Sequence, residues 1–191
     1  MRPKKKLLRK LAFCGIVADK NIPIKRLAKN GLTSIQLRRK NCSATIVSEK
    51  TKAIKKVARN YGLAVFVNDR VDSALASQVD GVHIGKGDMS IKLVRKILGK
   101  RSIIGKTVRS VNEAVQSERE GADYVSVGPI FFTPFKKDIS ARGLGLLKRV
   151  RKSIRIPVMA IGGINSSNIK DVLKTGVDGV GMIRGLRQFV N

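Results

Sequence analysis

Short apolar runs rich in β-branched residues alternate along the chain with stretches whose apolar residues recur every three or four positions. The runs occupy 13–18, 34–37, 64–68, 81–84, 102–107, 123–128, 157–162 and 179–183. Apolarity that is nearly continuous over such lengths predicts strands buried on both faces, because a half-exposed strand would alternate. Between the runs, Val47, Ile54, Val57 and Ala58 recur at helical spacing with charges between them, as do Val111, Ala114 and Val115 ahead of Gly121. Three junctions repeat one phrase: VDGVHIG at 79–85, ADYVSVG at 122–128 and VDGVGMI at 177–183. Each closes a helix, turns at an Asp and opens a Val-rich strand. Eight strands separated by seven helices predict an α/β fold, a single-domain (β/α)8 TIM barrel with short loops and a truncated last helix. An open doubly wound sheet is the alternative.

Composition narrows this picture. The 191 residues suffice for one domain, which by size buries roughly 70% of its unfolded surface. Residues 11–191 are assigned to the barrel and residues 1–10 to a basic N-terminal arm. No apolar run approaches the ~18 residues of a membrane span. The opening MRPKKKLLRKLAFCGIVADK imitates a signal peptide, but Asp19 and Lys20 close its apolar stretch without an A-x-A site, so it reads as mature sequence. Cys14 and Cys42 form no CxxC pair and have no nearby His, which excludes a structural zinc site. Two cysteines in a chain of this size fit a reducing cytosol and a cytoplasmic protein, and Cys14 within LAFCGIVA reads as a small core residue. Forty Lys and Arg against 13 Asp and Glu give a net charge of +27. That charge raises non-specific nucleic-acid binding as a reading of another class. With no helix-turn-helix, RNA-binding or zinc-finger signature and no Trp, the basic surface is instead read as a solvated skin.

In a barrel of this kind the chemistry sits at the C-terminal ends of the strands. The second run continues as IQLRRK, so on an extended chain Gln36, Arg38 and Lys40 share one face. An amide and two cations suit a polar ring bearing an anionic group; a solvated basic loop is the plain alternative. The third and fourth runs end in VFVNDR and HIGKGD, which bring Asn68, Asp69 and Asp88 to neighbouring strand ends. Two carboxylates facing cations make an Mg²⁺ site, because Mg²⁺ takes one or two carboxylates plus phosphate oxygens and keeps several waters. An ion pair between Asp69 and Arg70 is the competing reading. The fifth run ends in GKT, leaving the Thr107 hydroxyl at the rim, and the sixth enters VGPIFFTPFKK with Thr133, Lys136 and Lys137. Gly162 and Gly163 after the seventh run, and Gly185 after the eighth, permit the close backbone approach of a phosphate cradle. His83 lies among apolar neighbours and reads as a packed, hydrogen-bonded core histidine rather than a base.

Taken together, IQLRRK, VNDRVDSALA, DGVHIGKGD, IGKT, GADYVSVGPIFFT-x-x-KKD and IPVMAIGGI resemble the thiamine phosphate synthase family and its close relative the thiazole tautomerase. The resemblance runs from about Gly15 to Leu186 and implies a Mg²⁺-dependent transferase of thiamine biosynthesis. In such an enzyme hydroxymethylpyrimidine diphosphate loses pyrophosphate, and the ring nitrogen of thiazole phosphate attacks the resulting benzyl-like cation. By this resemblance Gln36 would orient the pyrimidine, while Arg38, Lys40, Asn68 and Lys136 would hold the diphosphate. Asp69 and Asp88 would bind Mg²⁺, and Thr107 would stand near the breaking bond. Thr133 and the backbone at Gly162–Gly163 and Ile183–Arg184 would take the thiazole phosphate. Members of the family usually carry Gln at Lys86, His near Arg109, a hydroxyl residue at Phe135 and Ser at Arg184. Arg184 is expected to offset the apolar Phe135 by offering its guanidinium to the thiazole phosphate. The tautomerase uses a His at about the place of Arg109, and a guanidinium is a poor base. A tautomerase-like or non-catalytic relative is the alternative within the same family.

Overall fold

The eight apolar runs become eight parallel strands that close on one another in chain order, with β8 returning to β1. They are β1 (Phe13–Val17), β2 (Ser34–Leu37), β3 (Ala64–Asn68), β4 (Gly81–Ile84), β5 (Ile103–Val108), β6 (Tyr124–Val127), β7 (Val158–Ile161) and β8 (Gly179–Met182). Seven helices alternate with them among the described residues: α1 (Ile24–Lys29), α2 (Ala44–Asn60), α3 (Val71–Ser77), α4 (Ile91–Leu98), α5 (Val111–Arg119), α6 (Gly143–Ser153) and α7 (Ile169–Leu173). In this computed structural model, residues 6, 8, 11–18, 22–134 and 139–190 are described. The closed barrel excludes the open-sheet alternative. Among the described residues no helix is long and apolar enough to cross a membrane.

Continuous apolarity of the strands has the expected cause: both strand faces are buried, each in its own core. One core fills the barrel with Cys14 and Ile16 of β1, Ala64 and Phe66 of β3, Ile103, Tyr124 and Met159. The other lies between strands and helices, where Ile35, Leu37, Val65, Val67 and Val82 meet Ile54 and Ala58 of α2, Val94 of α4 and Val150 of α6. Cys14 is buried as a small core residue, and burial pushes its thiol up to about 11.

Local chemistry sets the element ends. Ser43, Ser90 and Ser110 each accept a backbone N–H in the first turn of α2, α4 and α5, the standard N-cap arrangement. The Asp of the repeated phrase acts as a clamp between adjacent strands. Asp80, Asp123 and Asp178 accept the N–H of Val65, Ile104 and Val158 through Oδ2 at 2.8, 2.8 and 2.9 Å. Each also donates its own N–H to the carbonyl of that same residue. The chain after β8 makes one 3-10 helix, Arg184–Phe189, in place of a last α-helix, and Phe189 packs edge-on against Phe13 at 5.1 Å between ring centroids. Of the expected arm at 1–10, Leu8 packs against the interior core and Lys6 is exposed; the rest of it lies outside the described residues.

Candidate active site

At the C-terminal end of the barrel the strands surround a cavity of about 360 Å³, a size that suits a small organic ligand. Gln36, Arg38, Asn68 and Thr107 form one side of it, and Thr133, Gly162, Gly163, Ile183 and Arg184 the other. Nine of the residues anticipated from the sequence therefore share one chamber. Lys136 and Phe135 lie outside the described residues. Lys40, Asp69 and Asp88 stand beside the chamber rather than in its wall.

The β2–β3 side is an ordered polar strip. Gln36 is buried and its Nε2 donates to Asn68 Oδ1 at 2.7 Å. That bond leaves the Gln36 carbonyl oxygen as an acceptor and the Asn68 amide hydrogens as donors. Arg38 follows one strand step further out, consistent with the period-2 expectation for 36 and 38.

Asp69 leaves β3 in the left-handed region (φ 63), an uncommon conformation for a non-glycine residue. Its N–H is tied to the His83 carbonyl at 2.8 Å, so β4 fixes where the carboxyl can reach. It reaches Asp88. Burial, together with a hydrogen bond and charge from Asp88, pushes the Asp69 carboxyl up to about 7, while Arg38 and Lys40 pull it the other way. Asp88 is anchored in turn by the Gly85 N–H at 2.5 Å. The competing ion pair is absent: Arg70, the residue before α3, bonds Asp72 of its first turn instead, at 2.5 Å. Two hard carboxylates crowded enough to share a proton, flanked by cations, form a donor set suited to a divalent cation with phosphate oxygens and water as further ligands.

Opposite lies a backbone wall. Gly162 and Gly163 both hold positive φ, 97 and 68. A Cβ at Gly162 would sit 2.6 Å from the Pro129 Cα, and one at Gly163 2.6 Å from the Phe132 carbonyl oxygen. Only glycine fits either place. Asn168 Nδ2 holds the Gly163 carbonyl at 3.0 Å, which fixes the orientation of that peptide.

Two departures from the family pattern meet at the rim. Lys86 pairs with Glu113 Oε1 at 3.2 Å, and Glu113 Oε2 accepts the Arg109 N–H at 2.7 Å. His83 differs from expectation in one respect. It is buried and hydrogen-bonded, as anticipated, but it also lines the chamber, with Nε2 2.8 Å from Thr107 Oγ1 and Nδ1 2.9 Å from the Tyr124 hydroxyl. Nothing in the local sequence signals this, because both partners come from other strands.

Residues 17–186 match the family model described as thiamine monophosphate synthase. A thiamine-phosphate synthase from Clostridium novyi is 46% identical over 83% of this chain and 78% of its own length. One from Pyrococcus horikoshii is 44% identical over 84% of this chain and 77% of its own. Among solved structures, thiamine phosphate pyrophosphorylase from Pyrococcus furiosus superimposes with a TM-score of 0.83 at 37% identity, covering 96% of this chain and 97% of that one. An N-acetylmannosamine-6-phosphate 2-epimerase from Clostridium perfringens, 18% identical with a TM-score of 0.69 over 95% of this chain and 89% of its own, shares the fold alone.

Proposed function

The chain belongs to the thiamine monophosphate synthase family, and from that premise we propose that its chamber joins hydroxymethylpyrimidine diphosphate to thiazole phosphate. The CH₂–O bond of the diphosphate breaks with its electron pair leaving on pyrophosphate. The lone pair of the thiazole nitrogen then forms the new N–CH₂ bond, giving thiamine phosphate.

The arrangement that carries this reading is the cationic strip at the end of β2, set against the Asp69–Asp88 pair. The difficult event is departure of a highly charged anion, and preorganised charge in a shielded site is the means of easing it. The Gln36 carbonyl oxygen accepts from the amino group of the pyrimidine. Asn68 donates to the diphosphate, with Arg38 and Lys40; the family resemblance assigns Lys136, outside the described residues, to the same group. Thr107 stands by the breaking bond. Thr133, the Gly162–Gly163 peptides and the Ile183–Arg184 backbone take the phosphate of the thiazole.

Asp69 and Asp88 would hold Mg²⁺, which neutralises the diphosphate and so lowers the barrier to its departure. No nucleophilic side chain or strong base is needed; the polar side chains of the chamber are amides, hydroxyls, the Arg38 and Arg184 guanidiniums and the His83 imidazole, set among apolar Ile, Pro, Phe and Met side chains. Arg109 in place of a base argues against thiazole isomerisation as the main activity.

Purified protein given both substrates and Mg²⁺ should release thiamine phosphate and pyrophosphate, and EDTA should abolish the reaction. Failure of the folded protein to form product, with isomerisation of a thiazole carboxylate phosphate in its place, would transfer the assignment to the tautomerase.

A further inference from the structure

His83 is a buried imidazole for which the reaction above has no use, yet both of its ring nitrogens are engaged. Nδ1 lies 2.9 Å from the Tyr124 hydroxyl and Nε2 lies 2.8 Å from Thr107 Oγ1. The strand register builds this row. His83 of β4 pairs with Gly105 of β5, and Gly105 pairs with Tyr124 of β6. A Cβ on Gly105 would collide with the Tyr124 ring and hydroxyl. The glycine is therefore the notch across which the phenol reaches the imidazole. Thr107, two residues along β5, faces the chamber from the same side of the strand.

The direction of these bonds follows from counting protons. Tyr124 is fully buried, and burial raises its phenol well above the usual range, so the phenol keeps its proton. Among the described residues the Tyr124 hydroxyl has no hydrogen-bond partner other than His83 Nδ1. A buried hydroxyl proton without an acceptor is strongly disfavoured. Tyr124 therefore donates to Nδ1. A neutral imidazole has one donor and one acceptor nitrogen, so Nε2 carries the hydrogen and donates to Thr107. The Thr107 oxygen is then an acceptor toward His83, and its own proton is left for the chamber. The reverse arrangement would turn the Thr107 proton away from the substrate and strand the phenol proton in the core.

We propose that His83 is a positioning residue: the Tyr124–His83 pair fixes Thr107 as a hydrogen-bond donor aimed into the chamber, where the departing diphosphate oxygen accepts. This rests on the synthase reading for the identity of the acceptor. The direction of the bonds does not.

The chain has a single histidine, so nitrogen-detected NMR of untagged protein reports on His83 without assignment. At a pH well above the imidazole range, the spectrum should show a protonated Nε2 and a bare Nδ1. A protonated Nδ1, or an even mixture of tautomers, would overturn the proposal.

Kinetics test the consequence. Tyr124→Phe keeps the ring and removes the donor. It should lower kcat about tenfold with both KM values nearly unchanged, and Thr107→Val should lose roughly 10². In the Thr107→Val background, Tyr124→Phe and His83→Asn should each change kcat by less than about twofold, since they act through a hydroxyl that is no longer there. Independent, multiplicative losses would mean that Tyr124 and His83 merely support the core. Wild-type protein that forms no thiamine phosphate would instead overturn the synthase reading, with the tautomer measurement still deciding the bond direction.

Discussion

Arg38 is the residue on which the leaving-group assignment can be tested most directly. It stands in the chamber wall and faces Asp69. Arg38→Ala should cost on the order of 10²–10³ in kcat/KM for the diphosphate substrate, the scale of losing one donor to a developing anion; a loss below threefold would remove it from that role. Arg184 is exposed at the far rim, where solvent weakens any charge contact. Arg184→Ala should raise the KM for thiazole phosphate about three- to tenfold and leave kcat alone, and an unchanged KM would mean that its guanidinium does not serve that phosphate. Asp69 supplies a pH dependence. Its carboxyl is raised from 3.8 to about 7 by burial and by Asp88, so the folded chain holds that proton more tightly than the unfolded chain does. Its contribution to stability is then fully present below pH 4 and is lost as pH rises through 7. In chelator-treated protein the Tm should fall across that window. Asp69→Asn should flatten this part of the curve, and Mg²⁺ should restore the wild-type Tm most at the alkaline end. A wild-type curve parallel to that of the variant would show that the two carboxyls do not share a proton.

At the scale of elements, the repeated Asp carries more structural weight than a turn residue usually does. Asp123 joins β5 to β6 through the Ile104 N–H and also pairs with Arg95 at 2.6 Å in a largely buried position. Arg95 in turn holds the carbonyls of Gly99, Ser102 and Gly121. Asp123→Ala should therefore destabilise the fold by about 2–3 kcal/mol, because it removes the counter-charge of a largely buried guanidinium and strands the Ile104 backbone donor; a shift in denaturation midpoint equivalent to under 0.5 kcal/mol would show the clamp to be dispensable. Asp171 and Lys174 pair on the exposed face of α7, and breaking that pair should cost well under 1 kcal/mol. The strands were legible in the sequence because parallel strands buried on both sides are apolar without interruption, and the helices because residues such as Val47, Ile54 and Ala58 recur at helical spacing. Chemistry borne by strand ends was legible for the same reason, since counting strands places Gln36, Asn68, Thr107 and Gly162 at one end of the barrel. What stayed hidden depends on register between strands. That Gly105 opens a path from Tyr124 to His83, or that Glu113 ties Lys86 to Arg109, is invisible until β4, β5 and β6 are aligned.

At the scale of the whole molecule, +27 far exceeds what two anionic substrates require, and its distribution decides what it can do. Steering is strongest where one sign of charge lines a cleft with low-dielectric walls. Here cations also gather far from the chamber: Lys55, Arg59, Lys100 and Arg101 line a groove between α2, α3 and the loop after α4. Asp80 is the acidic residue in that groove, and Lys55 there bonds the carbonyls of Ser77 and Gln78. Positive potential on several faces draws phosphorylated molecules toward the protein without guiding them to its mouth. The effect on capture should be real but shallow. Raising ionic strength from about 10 mM to about 300 mM shortens the Debye length from roughly 30 Å to under 10 Å. Over that range kcat/KM for both substrates should fall by less than about tenfold while kcat holds steady, and an uncharged osmolyte should change neither. The same diffuse field predicts weak binding to duplex DNA at low salt, without sequence preference, that collapses as counterions compete. Tight DNA or RNA binding at physiological salt, competing with the diphosphate substrate, would show instead that the basic surface is organised for a polyanion.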